Sequence, residues 1–214
     1  LHYLRVLKGY HVPEVGGKNA SLGEMLSNLN DFGIRVPDGF AVTVKGYWAF
    51  IEAAGLKSKI ESCLKQIDHD DLDSLERNGL KIRSMILAGK FPLDLKKEII
   101  AQLKIIQLRY LDTKTDLAVR SSATAEDLPN ASFAGQQETF LNVRGEEDLL
   151  LCIKKCFASL YTNRAISYRD SRGISQTKVY LSVCVQRMVR SDVGESGVAF
   201  SIDTESGFKD AVII

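Results

Sequence analysis

The strongest constraint on the fold of this chain is a change of hydrophobic period near Asp116. Before it, apolar residues recur at every third or fourth position, as in Leu22, Met25, Leu26 and Leu29, and again in Leu95, Ile99, Leu103, Ile106 and Tyr110. That spacing lines one face of a helix. After it, "DLAVR" and "ETFLNV" read as strands, and "KVYLSVCVQRMV" alternates Val179, Leu181, Val183 and Val185 against Tyr180, Ser182 and Cys184. Period two is the mark of a half-buried strand. Helices first and strands later, without regular βαβ alternation, predict an α+β fold in which a helical layer is followed by a mostly antiparallel sheet.

Local signals place the elements. Gly33 stands where it would end a helix containing Leu22–Leu29, because glycine accepts the left-handed backbone of a helix stop. "VPDGFAVT" reads as a turn and a strand, "VKGYWAFIEAAG" as a helix closed by Gly55, and residues 71–88 and 92–109 as two more helices, the second with Pro92 in its first turn. "EEDLLLCIKKCFASLYT" is a helix whose acidic start suits the helix dipole. "GVAFSID" and "DAVII" read as further strands, and the polar "RSDVGESG" is the nearest thing to a boundary. We therefore expect a first unit over 1–189 and the beginning of a second over 190–214. The chain opens on Leu1 and stops inside an apolar β-branched run, so it reads as a piece of a longer polypeptide.

Composition narrows the partners. With 214 residues and 45% hydrophobic content the chain can bury a substantial core. Lys plus Arg (28) balance Asp plus Glu (27), so no global field argues for nucleic acid or a membrane surface as partner. No apolar run approaches the roughly 20 residues that span a bilayer, and the first residues lack the apolar region of a signal peptide; a cytoplasmic protein is expected. Cys63, Cys152, Cys156 and Cys184 lie in apolar surroundings and read as buried reduced thiols. His2, His11 and His69 form no metal-ligand spacing, and no metal ligand is assigned.

Four places could carry chemistry. Lys18 in "VGGKNASLGEM" puts a cation in the first turn of a helix, where the dipole disfavours it, behind two glycines that let backbone N–H groups approach an anion. A phosphate ligand would resolve the conflict; a solvated surface lysine is the competing reading, since the pattern is not a Walker A loop. Arg120 follows Leu117, Ala118 and Val119 at a strand end that opens into a long loop of small and hydroxyl residues. Such strand ends position ligand-binding groups, and arginine suits a bidentate phosphate contact; the alternative is a structural pair with Glu126 or Asp127. Gln186, Met188 and Val189 could offer backbone groups and a soft apolar wall to a purine ring, or simply be core. Arg164 in "LYTNRAISYR" is a further candidate cation, with a surface helix arginine as its alternative.

Taken together, "VGGKNASLGEML", "VRSSATAEDLPNASFAGQQETFLNV", "FASLYTNRAISYR", "VQRMVRSD" and "SGVAFSIDTESGF" resemble, in the same order, the N-terminal nucleotide-binding domain of the phosphoenolpyruvate synthase (pyruvate, water dikinase) family. The resemblance runs from about Val15 onward and is weakest over 56–114. It is closer to that family than to pyruvate, phosphate dikinase or rifampicin phosphotransferase. It implies an ATP-grasp-like fold with ATP between two subdomains, Lys18 and Arg120 on the phosphates as binding and catalytic residues, Gly135 and Thr139 in the loop that covers them, and Gln186, Met188 and Val189 in the hinge that reads adenine. Arg164 matches a recurring family arginine whose role stays open. ATP and Mg²⁺ are the implied cofactors, with metal ligands beyond residue 214, and the implied partners are phosphohistidine and pyruvate-binding domains of the same polypeptide; a homodimer stays open. The family reaction turns ATP, pyruvate and water into AMP, phosphoenolpyruvate and phosphate, which this stretch alone is not expected to complete. The rivals are a related enzyme with another phosphoryl acceptor, such as an antibiotic hydroxyl, and a non-catalytic nucleotide-binding module. Against the last stands the cost, several kcal/mol, of keeping unpaired cations buried.

Overall fold

A computed structural model describes residues 1–68, 71–123, 138–177 and 179–214. Its centre is a five-stranded sheet of β1 (His2–Tyr3), β2 (Gly39–Val42), β3 (Leu117–Ala123), β4 (Thr139–Val143) and β5 (Leu181–Arg187), in the order β1-β2-β5-β3-β4. Every neighbouring pair is antiparallel, as the late run of strands predicts. The helices are α1 (Val12–Asn28), α2 (Val44–Ala53), α3 (Lys57–Lys65), α4 (Leu72–Ala88), α5 (Leu93–Arg109), α6 (Gly145–Ser159) and α7 (Asn163–Ser171).

The expected single helical layer is instead divided between the two faces of the sheet. Odd-numbered positions of β3 and β5, among them Leu117, Val119, Val183 and Val185, enter a large core with residues of α2 to α7, including Phe50, Ile82, Ile99 and Phe157. Cys184 and Ala41 point the other way and join Val15, Ala20 and Leu26 of α1 with Leu4 and Leu7. Period two separates these two sets, because alternate side chains of a strand leave opposite faces.

Helix α1 corrects its sequence reading. Its buried side is Asn19, Ala20, Gly23 and Leu26, while Met25 is exposed. Small residues win because the helix lies close to its neighbours: a Cβ on Gly23 would come 2.5 Å from the Leu7 carbonyl oxygen. Gly33 (φ 75°) closes a short 3₁₀ turn at Asn30–Phe32 rather than α1 itself. Elsewhere side chains cap the helices, with Thr43, Asp71 and Thr162 accepting from the N–H groups of Gly46, Asp73 and Ala165.

Two strand readings change as well. The strand that starts at Leu117 does not end at Arg120 but runs to Ala123, paired throughout with β5. "GVAFSID" and "DAVII" form no ladder; Phe200 and Ile213 make an isolated bridge. Val198, Phe200, Phe208 and Val212 are exposed there, and a strand without an apolar surface to cover does not pair further.

Candidate functional site

The site is built on the face of the sheet that α1 covers. Within α1, Gly16 has φ 73° and ψ 161°, a break that divides a first turn at Val12–Val15 from the helix proper. Only glycine takes that backbone readily, and only glycine fits, since a Cβ there would sit 2.3 Å from Ser122 Oγ. The break presses the start of the helix against the far end of β3. Lys18 therefore lies in the first turn after the break, exposed, where N–H groups lack partners one turn back.

A buried polar cluster fixes this contact. Asn19 donates through Nδ2 to Val15 O (3.0 Å) and to Ser182 Oγ (2.9 Å). Ser182 in turn donates to the Val15 carbonyl and lies 3.2 Å from the Ser122 carbonyl. Asn19 and Ser182 are fully buried, so each bond is made where an unmade one costs most. Asn19 Oδ1 and Ser122 Oγ have no hydrogen-bond partner among the described residues.

Arg120 lies mid-strand, two residues before Ser122, and is the one exposed residue of β3. Its Cα partners are Cys184 on β5 and Thr139 at the start of β4, which places all three on the α1 face. Thr139 is exposed beside it. Among the described residues no ion pair or hydrogen bond engages the Arg120 side chain; its charge acts on the Cys184 thiol, which burial pushes up to about 12 against that attraction. Glu126 and Asp127, the alternative partners, lie outside the described residues, as does Gly135. The structure thus brings Lys18's helix turn, Arg120 and Thr139 to one face. Both cations are exposed, which removes the argument from the cost of burying them.

Gln186, Met188 and Val189, the residues expected to read adenine, are differently placed. Gln186 is buried and its amide donates to Pro37 O at 2.7 Å. The next N–H groups are also spent, Arg187 on Asp38 O and Met188 on Asp116 O, so backbone groups at 187 and 188 do not stand ready as donors for a purine. Met188 is half-buried, with its sulfur accepting from Asn142 N (3.0 Å). Val189 is 65% exposed and is the apolar surface of this segment. Asp116 accepts from two Arg144 nitrogens, Nε and Nη2, and this hydrogen bonding lowers its carboxyl pKa. Arg164 is exposed in the first turn of α7.

The sequence reading missed Asn19 and Ser182 as supports of this contact; their signal was a polar residue among the inward positions of α1 and β5, whereas Ser122 contributes its backbone carbonyl, which carries no sequence signal. It also missed Arg169, which is 1% exposed. Arg169 falls on the stripe of Ala165 and Ile166 at helical spacing, and a cation on an apolar stripe is the readable sign.

A glycine break before a helix, an exposed lysine in its first turn and an exposed arginine in mid-sheet share one face of the domain. Residues 12–214 match the model of the family described as pyruvate phosphate dikinase, AMP/ATP-binding domain, and the chain belongs to that family. It is 52% identical over its whole length to phosphoenolpyruvate synthase of Helicobacter pylori, covering 26% of that protein. It is 52% identical to the synthase of Aquifex aeolicus over 95% of the chain and 24% of the relative, and 50% identical to that of Escherichia coli over 95% and 25%. The chain spans about a quarter of the length of these relatives.

Proposed function

We propose that the chain is the ATP-binding part of a phosphoenolpyruvate synthase that turns ATP, pyruvate and water into AMP, phosphoenolpyruvate and phosphate. In this reading residues 1–189 are the first subdomain of an ATP-grasp-like clamp and 190–214 begin the second. The phosphoryl group passes to a histidine on another domain of the same cytoplasmic polypeptide, and pyruvate binds on a third. Support comes from family membership and from the synthases that match over 95% or more of the chain. The single observation that carries the site is Arg120, exposed in a strand otherwise buried at every position and without an ion pair among the described residues.

Lys18 and Arg120 hold the phosphates by charge and hydrogen bonding, and Thr139 adds a hydroxyl beside Arg120. Phosphoryl transfer asks little covalent chemistry of the protein, so placing cations where negative charge spreads is the main contribution. Met188 and Val189 supply an apolar wall to the base, with Gln186 holding the strand end rather than touching it. Gly135 keeps its role in the covering loop as an inference from the resemblance alone. Bound ATP supplies the transferable phosphoryl groups. Mg²⁺ enters with the nucleotide; among the described residues no cluster of His, Cys, Asp or Glu fits a metal ion.

A phosphorus NMR time course of the protein expressed from its full reading frame, with Mg-ATP and with or without pyruvate, tests the proposal. Pyruvate-dependent formation of AMP, phosphate and phosphoenolpyruvate is expected. ATP consumption indifferent to pyruvate would assign another acceptor, and untouched ATP would leave a nucleotide-binding module.

A further inference from the structure

On the opposite face of the sheet from Lys18 and Arg120, a cavity of about 320 Å³ opens between α2, α3 and the start of β5. Trp48, Ile51, Ile60, Leu64 and Tyr180 form its walls, and Tyr47 and Tyr161 close its inner end. Trp48 and Tyr180 meet edge to face, with ring centroids 5.6 Å apart. These walls suit a flat apolar ring, since aromatic pairs favour edge-on and offset contacts.

The inner end carries an unspent donor. Tyr47 and Tyr161 hydroxyls are 2.9 Å apart, so one donates to the other, and the second proton of the pair has no acceptor among the described residues. Both side chains are more than nine-tenths buried. Arg169 lies behind them, close enough for its charge to act on both phenols. Its own hydrogen bonds go to neutral acceptors, Gln176 Oε1 at 2.6 Å and Leu160 O at 2.5 Å. Among the described residues no carboxylate pairs with it. A buried cation without a counter-charge is costly, and burial draws its pKa down to about 10. The only carboxylate in the lining, Glu61, shares the mouth with Lys57, whose ammonium stands 5.8 Å from the Trp48 ring centre. Those two charges offset each other, and the field of Arg169 remains at the inner end.

We propose that this cavity is a second ligand site, separate from the nucleotide face, that takes a small aromatic carboxylate. The ring lies against Trp48, Tyr180 and the aliphatic wall, and the carboxylate accepts the spare tyrosine proton in front of Arg169. An uncharged ring of the same shape fills the walls but leaves the cation uncompensated.

Fluorine NMR of 4-fluorobenzoate with the protein expressed from its full reading frame tests this. Saturable line broadening is expected, unchanged by saturating ATP, with the neutral 4-fluorobenzamide binding roughly ten-fold or more weakly, as one charge-assisted hydrogen bond implies. Tyr161→Phe weakens the benzoate, and Thr177→Trp, at an exposed rim position where the core is untouched, abolishes it. Absence of saturable broadening, equal binding of the amide, displacement by ATP, or indifference to Thr177→Trp in a folded variant would each overturn the site.

Discussion

The two faces of the sheet are stabilised differently. The face toward α2–α7 is packed with large side chains: Phe50, Phe91 and Phe157 touch ring to ring, with centroids 4.9 to 6.5 Å apart. The face toward α1 is packed with small and polar ones, where Gly16, Asn19, Gly23, Ser122 and Ser182 let backbones approach and hydrogen-bond. The first supplies most of the apolar burial, which stabilises in proportion to area. The second gives up burial for a fixed geometry around two exposed cations. In the proposed reading, nucleotide binding and most of the apolar burial fall on opposite sides of the same strands.

This contrast breaks most visibly if the large face is not the stabilising one. Truncating Phe157, fully buried among Tyr47, Phe50 and Phe91, should cost about 3–5 kcal/mol, read as a fall in the urea midpoint. On the small face, Gly16→Ala should cost about 1–3 kcal/mol for its backbone conformation and weaken ATP binding as well, because it pushes the Lys18 turn off Ser122. A variant that lost stability but kept its ATP affinity would detach that turn from the site.

A smaller effect concerns the Asp116–Arg144 pair beside the end of β5. The Asp116 pKa is lowered by the Arg144 hydrogen bond, so its contribution is complete above the ordinary carboxylate range and is lost as pH falls through the lowered value. Asp116→Asn should lower stability at neutral pH and lose its disadvantage in acid; a deficit independent of pH would refute the ionic contribution. Smallest of all, Cys184 and Cys156 should resist alkylation at mildly alkaline pH in the folded protein, since burial raises both thiols. Rapid labelling of Cys184 would show α1 leaving the sheet.

Much of the large face was legible in sequence because periodicity reports apolar burial. Leu95, Ile99, Leu103 and Ile106 are buried as their spacing predicts, whereas β5, read as half-buried, is buried on both faces because α1 covers its polar side. The small face was harder to read. Ser121 to Ala123 carry no strand signal, yet they are strand because β5 supplies partners along their whole length; pairing is a tertiary fact that composition does not encode. The same principle acts in reverse over 198–214, where β-branched residues lack a partner strand. Helix α3, short and mostly polar, was missed, while Lys18 and Arg120 drew notice because each breaks a local rule, a cation at a helix start and a charge in an apolar strand. Their exposure was not legible, nor was the use of Gln186 to hold Pro37.

The most direct test of the division between faces is Arg120→Ala, with the thermal midpoint taken without nucleotide and ATP affinity taken by calorimetry. An arginine that serves the ligand predicts a stability change within about 0.5 kcal/mol and ATP binding weakened roughly ten-fold or more. A large fall in the midpoint with unchanged affinity would make Arg120 a structural residue and move the phosphate site elsewhere.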